Sequence, residues 1–204
     1  MNIIVFGAGG RTGQEVVKQA LGEGHHVTAF VRTPSKLTIK HPNLASLKGN
    51  TLDEQAVWKG VEGHDAVISC LGTDGLKKST ALAKSTENIV KAMKDHEIKR
   101  IAYTASAGIH NEIPGVTGVM AGVILRNVLA DHKRAYELLK ESNLKWTVAR
   151  PLRLDSDPVT RKYRTTDEGV PSKGKRIARA DVAHFLLKAV TEDTFVSKSV
   201  GLAY

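Results

Sequence analysis

What this 204-residue sequence lacks narrows its class first. It holds one cysteine, Cys70, which excludes an internal disulfide and any multi-cysteine metal site, so no metal is expected. Cys70 ends an apolar run and is expected to be a small buried hydrophobe rather than a redox thiol. No apolar run approaches the ~18 residues of a membrane span, so no membrane partner is expected. Met1 leads straight into Asn-Ile-Ile-Val-Phe-Gly, with no basic n-region or cleavage site. No signal peptide is therefore expected, and a cytoplasmic protein is.

Acidic residues are the scarcer charge: 30 Lys and Arg stand against 21 Asp and Glu, a formal charge of +9. The densest basic stretch holds Arg161, Lys162, Arg164, Lys173, Lys175, Arg176 and Arg179 against Asp167 and Glu168. Glycine and proline interrupt it, and it has few aromatics to stack on bases, so nucleic-acid binding is not expected. A positive field suits polyanionic small molecules better, such as phosphates or carboxylated pigments. Apolar residues make up 41% and charged ones 25%, the balance of one soluble domain with a sizeable core, as a monomer or weak homodimer.

Short apolar runs alternate with helical spacings along the chain. Residues 2–6 read as a buried strand, then glycines, then a helix over 14–24 with a glycine stop. Further strands are expected within 25–32, 43–49, 64–72, 99–106 and 145–150, and helices within 53–63 and 79–98. Residues 117–142 read as mostly one long helix. After that, 153–175 are polar and loop-like, 175–193 hold a short strand and a helix with Asp181 at its start, and 198–203 a last strand. Nothing suggests a linker or a repeat. The alternation predicts α/β architecture: one doubly wound parallel sheet over residues 1–204, with a small loop-rich portion, 153–204, as a variable substrate wall.

Val-Phe-Gly-Ala-Gly-Gly-Arg-Thr-Gly places Gly7, Gly10 and Gly13 at G-x-x-G-x-x-G spacing, with Gly9 between them. Such glycines permit the tight turn, let the backbone approach a pyrophosphate, and let helix and strand pack closely. The helix N-terminus then offers unpaired N–H groups and a positive dipole end. The pattern follows a strand and opens a helix, the context that gives it meaning. The end of the second strand selects the dinucleotide. An acidic residue there would bind the ribose 2′-OH of NAD(H). Arg32 stands there instead, with Lys36 after it. A guanidinium fork and a second cation match a 2′-phosphate, so NADP(H) is preferred over NAD(H).

Six stretches together resemble one family: FGAGGRTG, VTAFVRTPSKL, LKGNTLDEQAVWKGVEGHDAVISCLGT, ENIVKAMKDHEIKRIAYTASA, ADHKRAYELLKESNLKWTVARP and KRIARADVAHFLL. The chain resembles an atypical short-chain dehydrogenase/reductase of the NAD(P)H-binding, NmrA-like group, and within it the flavin reductase and biliverdin reductase B type. The resemblance implies a Rossmann fold and an NADPH-dependent reductase of flavins and biliverdin-like tetrapyrroles, or in other branches a cofactor-sensing regulator. It carries the phosphate loop onto Gly7, Gly9, Gly10, Arg11, Thr12 and Gly13, and the 2′-phosphate contacts onto Arg32 and Lys36. The adenine contact falls on Asn50, where the family carries Asp, with Thr51 beside it. Leu71, Gly72 and Thr73 fall beside the riboses and phosphates, Thr104, Ala105 and Ser106 near the nicotinamide, and Pro151 at its border. The Asp-His pair of the flavin-reductase branch falls on Asp131 and His132.

Tyr136 and Lys140 form the Tyr-x-x-x-Lys acid/base spacing of short-chain dehydrogenases. In a parallel sheet the ligand lies outside the carboxyl ends of the strands. A helix running back from there ends at the opposite edge, and Lys140 lies ~2 Å of rise from that end. This pair is therefore expected to be remote from the cofactor. Lys133, ~12 Å of rise from the helix end, is better placed, for the nicotinamide ribose. Four residues before it stands Leu129, which cannot donate a proton. Alcohol and ketone chemistry through a tyrosyl acid is thus disfavoured, as is sugar-nucleotide epimerisation. Hydride transfer to a flavin-like, quinone or tetrapyrrole-like acceptor, which the cofactor itself carries, remains. Ser106 and His132 are the candidates for orienting or protonating that acceptor, and His110 is another contact. The rival is a non-catalytic regulator that senses NADP(H).

Overall fold

The computed structural model describes residues 1–73 and 75–204, with their side chains except those of Thr117 and Ala121. The chain opens with β1 (Asn2–Phe6), α1 (Arg11–Gly22), β2 (His26–Val31), a 3-10 turn (Pro34–Lys36), β3 (Leu44–Lys48), α2 (Glu54–Val61), β4 (Ala66–Ser69), α3 (Ala81–Asp95) and β5 (Arg100–Thr104). It continues with α4 (Gly115–Ile124), α5 (Arg126–Lys140), β6 (Lys145–Pro151), β7 (Arg153–Asp155), β8 (Arg164–Thr166), β9 (Arg176–Ala178), α6 (Arg179–Thr191) and β10 (Lys198–Ala203).

Eight strands form one sheet in the order β3-β2-β1-β4-β5-β6-β10-β8. All neighbours are parallel except β8, which runs antiparallel to β10. The order moves outward from β1 in both directions, so the crevice of this Rossmann-type fold opens between the ends of β1 and β4. β4 and β5 are buried along their whole length, as expected of central strands in a parallel sheet covered on both faces. The edge strand β3 is mostly exposed.

Strand alternation divides the core into two layers. Ile3, Val5, Ala29 and Ile68 face Val16 and Val17 of α1 and Val182 and Leu186 of α6. Ile4, Phe6, Tyr103 and Val148 face Val57 of α2, Ile89 and Met93 of α3 and Leu139 of α5. α1 and α6 also share a hydrogen bond: Gln19 Nε2 donates to the Ala180 carbonyl at 2.8 Å across 161 positions.

Two expectations need correction. The single helix over 117–142 is two helices, α4 and α5, broken at Leu125 (φ −97°, ψ 7°). Leu125 turns inward onto the second core layer, while α4 stays at the surface. α4 also carries Gly115, Gly118 and Gly122, which lower its helix propensity. At Gly118 a Cβ would lie 1.9 Å from the Ile113 carbonyl oxygen. Secondly, residues 153–175 are not all loop, because they contain β7 and β8. β8 reads Arg-Thr-Thr at a solvent-facing edge and so has no apolar run to betray it. Within 153–204, β10 and β8 complete the main sheet and α6 covers its α1 face.

The start of α3 is held from α5. The fully buried Asp131 accepts the Leu82 and Ala83 backbone N–H groups, both at 3.1 Å. No side chain of α3's own N-cap, Thr80, does this. Asp131→Ala would strand two donors and should destabilise the fold by about 2–4 kcal/mol in urea titration. A loss below about 0.5 kcal/mol would show that the cap does not hold the two helices together.

Candidate functional site

The glycine turn is built by backbone in contact with backbone. Gly7 has φ +76°, and a Cβ there would lie 2.6 Å from the Cys70 carbonyl oxygen. A Cβ on Gly13 would lie 2.3 Å from the Gly7 carbonyl oxygen. These two glycines let the ends of β1 and β4 and the start of α1 converge. Gly9 differs: a Cβ there would meet nothing nearer than 3.7 Å. Packing does not require glycine at this position, whereas a phosphate lying against the backbone would. Gly10 caps α1 without a side-chain hydrogen bond, and the first turn, with Arg11, Thr12 and Gly13, holds no acid. Its N–H groups and positive dipole end suit an anion, so these residues fit the pyrophosphate of a dinucleotide.

Cations flank that turn. Arg32 and Lys36 are exposed past the end of β2, and no acid lies between residues 31 and 40. Two residues that no local pattern marks out also serve this region. Gln14 Nε2 donates to the carbonyls of Gly9 and Lys36, each at 3.2 Å, and so ties the Lys36 turn to the glycine turn. Arg179 opens α6 close enough to Arg11 that burial and then this neighbouring charge push its pKa down. Arg179 reaches Arg11 through the packing of α6 on α1, which no local pattern encodes.

On the adenine side, Gly49 passes under Phe30, whose Cζ would lie 2.3 Å from a Cβ there. Asn50 Oδ1 accepts the Leu52 N–H at 3.1 Å, so one lone pair of the oxygen expected to meet adenine serves its own turn. Thr51 is tied to α3 through the Ser85 hydroxyl at 2.7 Å and through Asn88, which donates to its carbonyl at 2.9 Å. After β4, Leu71 packs on the second core layer, and Gly72 has open space around it. Thr73 is half-buried.

At the end of β5, Thr104 donates to Cys70 Sγ at 3.9 Å, and burial pushes the Cys70 thiol up to about 12, which leaves it inert at neutral pH. The Ala105 N–H donates to the Ala149 carbonyl at 2.8 Å, and the Ala107 N–H to the Pro151 carbonyl at 3.0 Å. Between them Ser106 is half-buried, and its hydroxyl donates to the Ala107 carbonyl at 3.1 Å. The following loop is pinned by the buried Glu112–Arg150 ion pair. Arg150 also donates to the carbonyls of Gly169 at 3.0 Å, Asp167 at 3.3 Å and Ser199 at 3.2 Å. One wall of the crevice is thus fixed to the C-terminal strands.

Ser106, His132 and Lys133 are not joined to one another by any hydrogen bond among the described residues. His132 is corrected from candidate proton donor to core residue. It is 6% exposed, and its Nδ1 lies 2.9 Å from the Tyr103 hydroxyl. Burial, opposed by Asp131, pushes its pKa down to about 4, so at neutral pH it has no second proton to give. Lys133 is exposed and lines a shallow groove with Ala83, Ala130, Arg134 and Glu137. Leu129 is 8% exposed and packs beneath Gly108, whose Cβ would lie 3.2 Å from Leu129 Cδ1. Position 129, four residues before Lys133, is therefore filled by an apolar contact. Tyr136 packs edge-on between His110 (ring centroids 4.9 Å) and Trp146 (5.7 Å), the second residue of β6. Lys140, the last residue of α5, is exposed.

Comparison with known proteins agrees with this architecture. A family model described as NAD(P)H-binding matches residues 7–193. A 2-alkyl-3-oxoalkanoate reductase of Stenotrophomonas maltophilia is 32% identical over 127 residues, covering 59% of this chain but only 38% of that protein. A wide-type short-chain dehydrogenase/reductase of Veillonella parvula, solved with NADP, superposes with a TM-score of 0.87 at 21% identity, covering 100% of this chain and 94% of that one. An anaerobillin reductase of Escherichia coli O157:H7 superposes with a TM-score of 0.83 at 19% identity, covering 100% and 97%. At such identities the likeness is one of fold.

The neutral, buried His132 predicts a pH dependence. Its pKa is about 4 in the fold against an ordinary 6.5, so the unfolded chain binds more protons between those values. Stability should fall as the pH drops through that window, by up to about 1.4 kcal/mol per pH unit from this group. Denaturant titrations of the protein and of His132→Phe should show a shallower fall in the variant. Equal slopes would place the charge change elsewhere.

Proposed function

The chain belongs to the NAD(P)H-binding family, and on that premise we propose that it is an NADPH-dependent reductase passing hydride to a flavin-like, quinone or tetrapyrrole-like acceptor. The observation that carries this reading is the apolar packing of Leu129 where a tyrosyl acid would stand, with the nearby His132 neutral and turned into the core. A ketone or alcohol substrate needs a positioned acid or base at that point. A conjugated acceptor takes hydride when its ring is stacked on the nicotinamide, and its proton can come from water. The neighbour named for anaerobillin reduction supports the tetrapyrrole end of this class.

In this assignment Gly9 and Gly10 and the N–H groups of Arg11, Thr12 and Gly13 receive the pyrophosphate, with Arg179 adding charge. Arg32 and Lys36 take the 2′-phosphate, Asn50 and Thr51 border the adenine, and Leu71 to Thr73 border the riboses. Thr104, Ala105 and Pro151 frame the nicotinamide, and Ser106 orients the acceptor. NADPH would supply the hydride when bound, and the chain supplies alignment.

Loss of nicotinamide absorbance with NADPH and FMN, FAD, a quinone or biliverdin tests the proposal. Turnover with at least one acceptor supports it. Tight NADP(H) binding with none turned over would overturn it in favour of a cofactor-sensing regulator. Arg32→Ala should weaken NADPH binding by roughly 1.5–3 kcal/mol, as expected for a charge-assisted contact, and leave NADH nearly unaffected. Equal losses for both dinucleotides would remove Arg32 from the 2′-phosphate.

A further inference from the structure

α4 turns its apolar side chains outward. Val116 is 76% exposed, Val119 69%, Met120 57%, Val123 68% and Ile124 56%. Their spacing, i, i+3, i+4, i+7 and i+8, makes one continuous stripe along the helix. Leu76, 51% exposed, joins it. Asn127 Nδ2 donates to the Leu76 carbonyl at 2.9 Å and seats this segment beside the start of α5. Exposed aliphatic groups in such a cluster mark a surface that meets something apolar.

Among the described residues, cations stand next to the stripe in the chain. Lys77, Lys78 and Arg126 are exposed at its border. No acid occurs from Ile113 to Ala130, and none from Gly75 to Thr86. Asp131, the next acid along α5, is fully buried on the α3 backbone. The whole chain adds a formal +9.

We propose that α4 and Leu76 dock in the headgroup region of an anionic lipid surface, with Lys77, Lys78 and Arg126 against the lipid phosphates. No helix among the described residues is long and apolar enough to cross a membrane, and this one lies on it instead. Buried apolar area and cations beside it both add to the attraction of anionic lipid. A second copy of the chain fits less well. It would bring the same three cations, and another +9, against this border, and like charges at an interface are costly. A ten-residue helix and one added side chain also offer less than the ~800 Å² per partner of a stable dimer. Docking stands whether or not the chain turns over NADPH.

Co-sedimentation tests this with vesicles of phosphatidylcholine alone and with about a third of phosphatidylglycerol. The protein should bind the anionic vesicles at least about tenfold more strongly than the neutral ones. Val119→Asp with Met120→Asp should abolish binding, with the far-UV spectrum and melting temperature retained. Should that pair fail to fold, Val116→Ser with Val123→Ser carries the same test. Lys77→Glu with Lys78→Glu should weaken binding to the anionic vesicles by at least about tenfold. No binding to anionic vesicles overturns the proposal, as does binding that survives loss of the stripe. A dimer that Val119→Asp with Met120→Asp splits, without vesicle binding, would make the face a self-association surface instead.

Discussion

Everything at the crevice depends on one steric constraint, the contact of backbone with backbone where β1 meets α1. The Gly7 carbonyl lies where a Cβ on Gly13 would be, and the Cys70 carbonyl where a Cβ on Gly7 would be. Those contacts bring two strand ends and a helix start to one point. Helix dipole, open backbone at Gly9 and the switch in strand order then coincide. The cations at Arg32, Lys36, Arg11 and Arg179 matter for an anion only because this point is fixed.

The opposite side of the crevice is fixed by charge rather than by missing side chains. Arg150 is 1% exposed and holds Glu112 and three carbonyls from two distant segments. A guanidinium so buried is stable only with its donors used, and here they bind the loop after β5 to the strands beyond β6. Between these two fixed sides the chemistry is plain. The thiol of Cys70 and the imidazole of His132 are both neutral at ordinary pH, and Leu129 has no proton to give. In the reading proposed above, the crevice positions rings rather than transferring protons.

Features encoded over short spans were legible in the sequence. The strand, glycine turn and helix of residues 2–24 and the cations after β2 follow from local spacing. Features encoded by distant partners were not. Gln14 has no reason to stand out until Lys36 folds back over it, nor Arg179 until α6 meets α1. Glu112 and Arg150 are 38 positions apart and read separately as a loop acid and a strand end. His132 was misread because helical spacing tells which residues share a face, not that the face meets the Tyr103 hydroxyl. The break at Leu125 escaped because apolar residues continue across it, and only burial tells the exposed α4 from the packed α5.

The bond from Gln19 to Ala180 has a bearing on how the molecule assembles. α1 carries the glycine turn near one end of the sequence, yet the helix that covers it is made from residues 179–191. Contacts over so long a loop form late and slowly, because chain closure must precede any gain from burial. The first ~150 residues can pair their strands while α1 still lacks its neighbour. Competence to hold an anion at the glycine turn then marks completed folding, and a ligand bound there favours the finished state over every partly folded one by mass action.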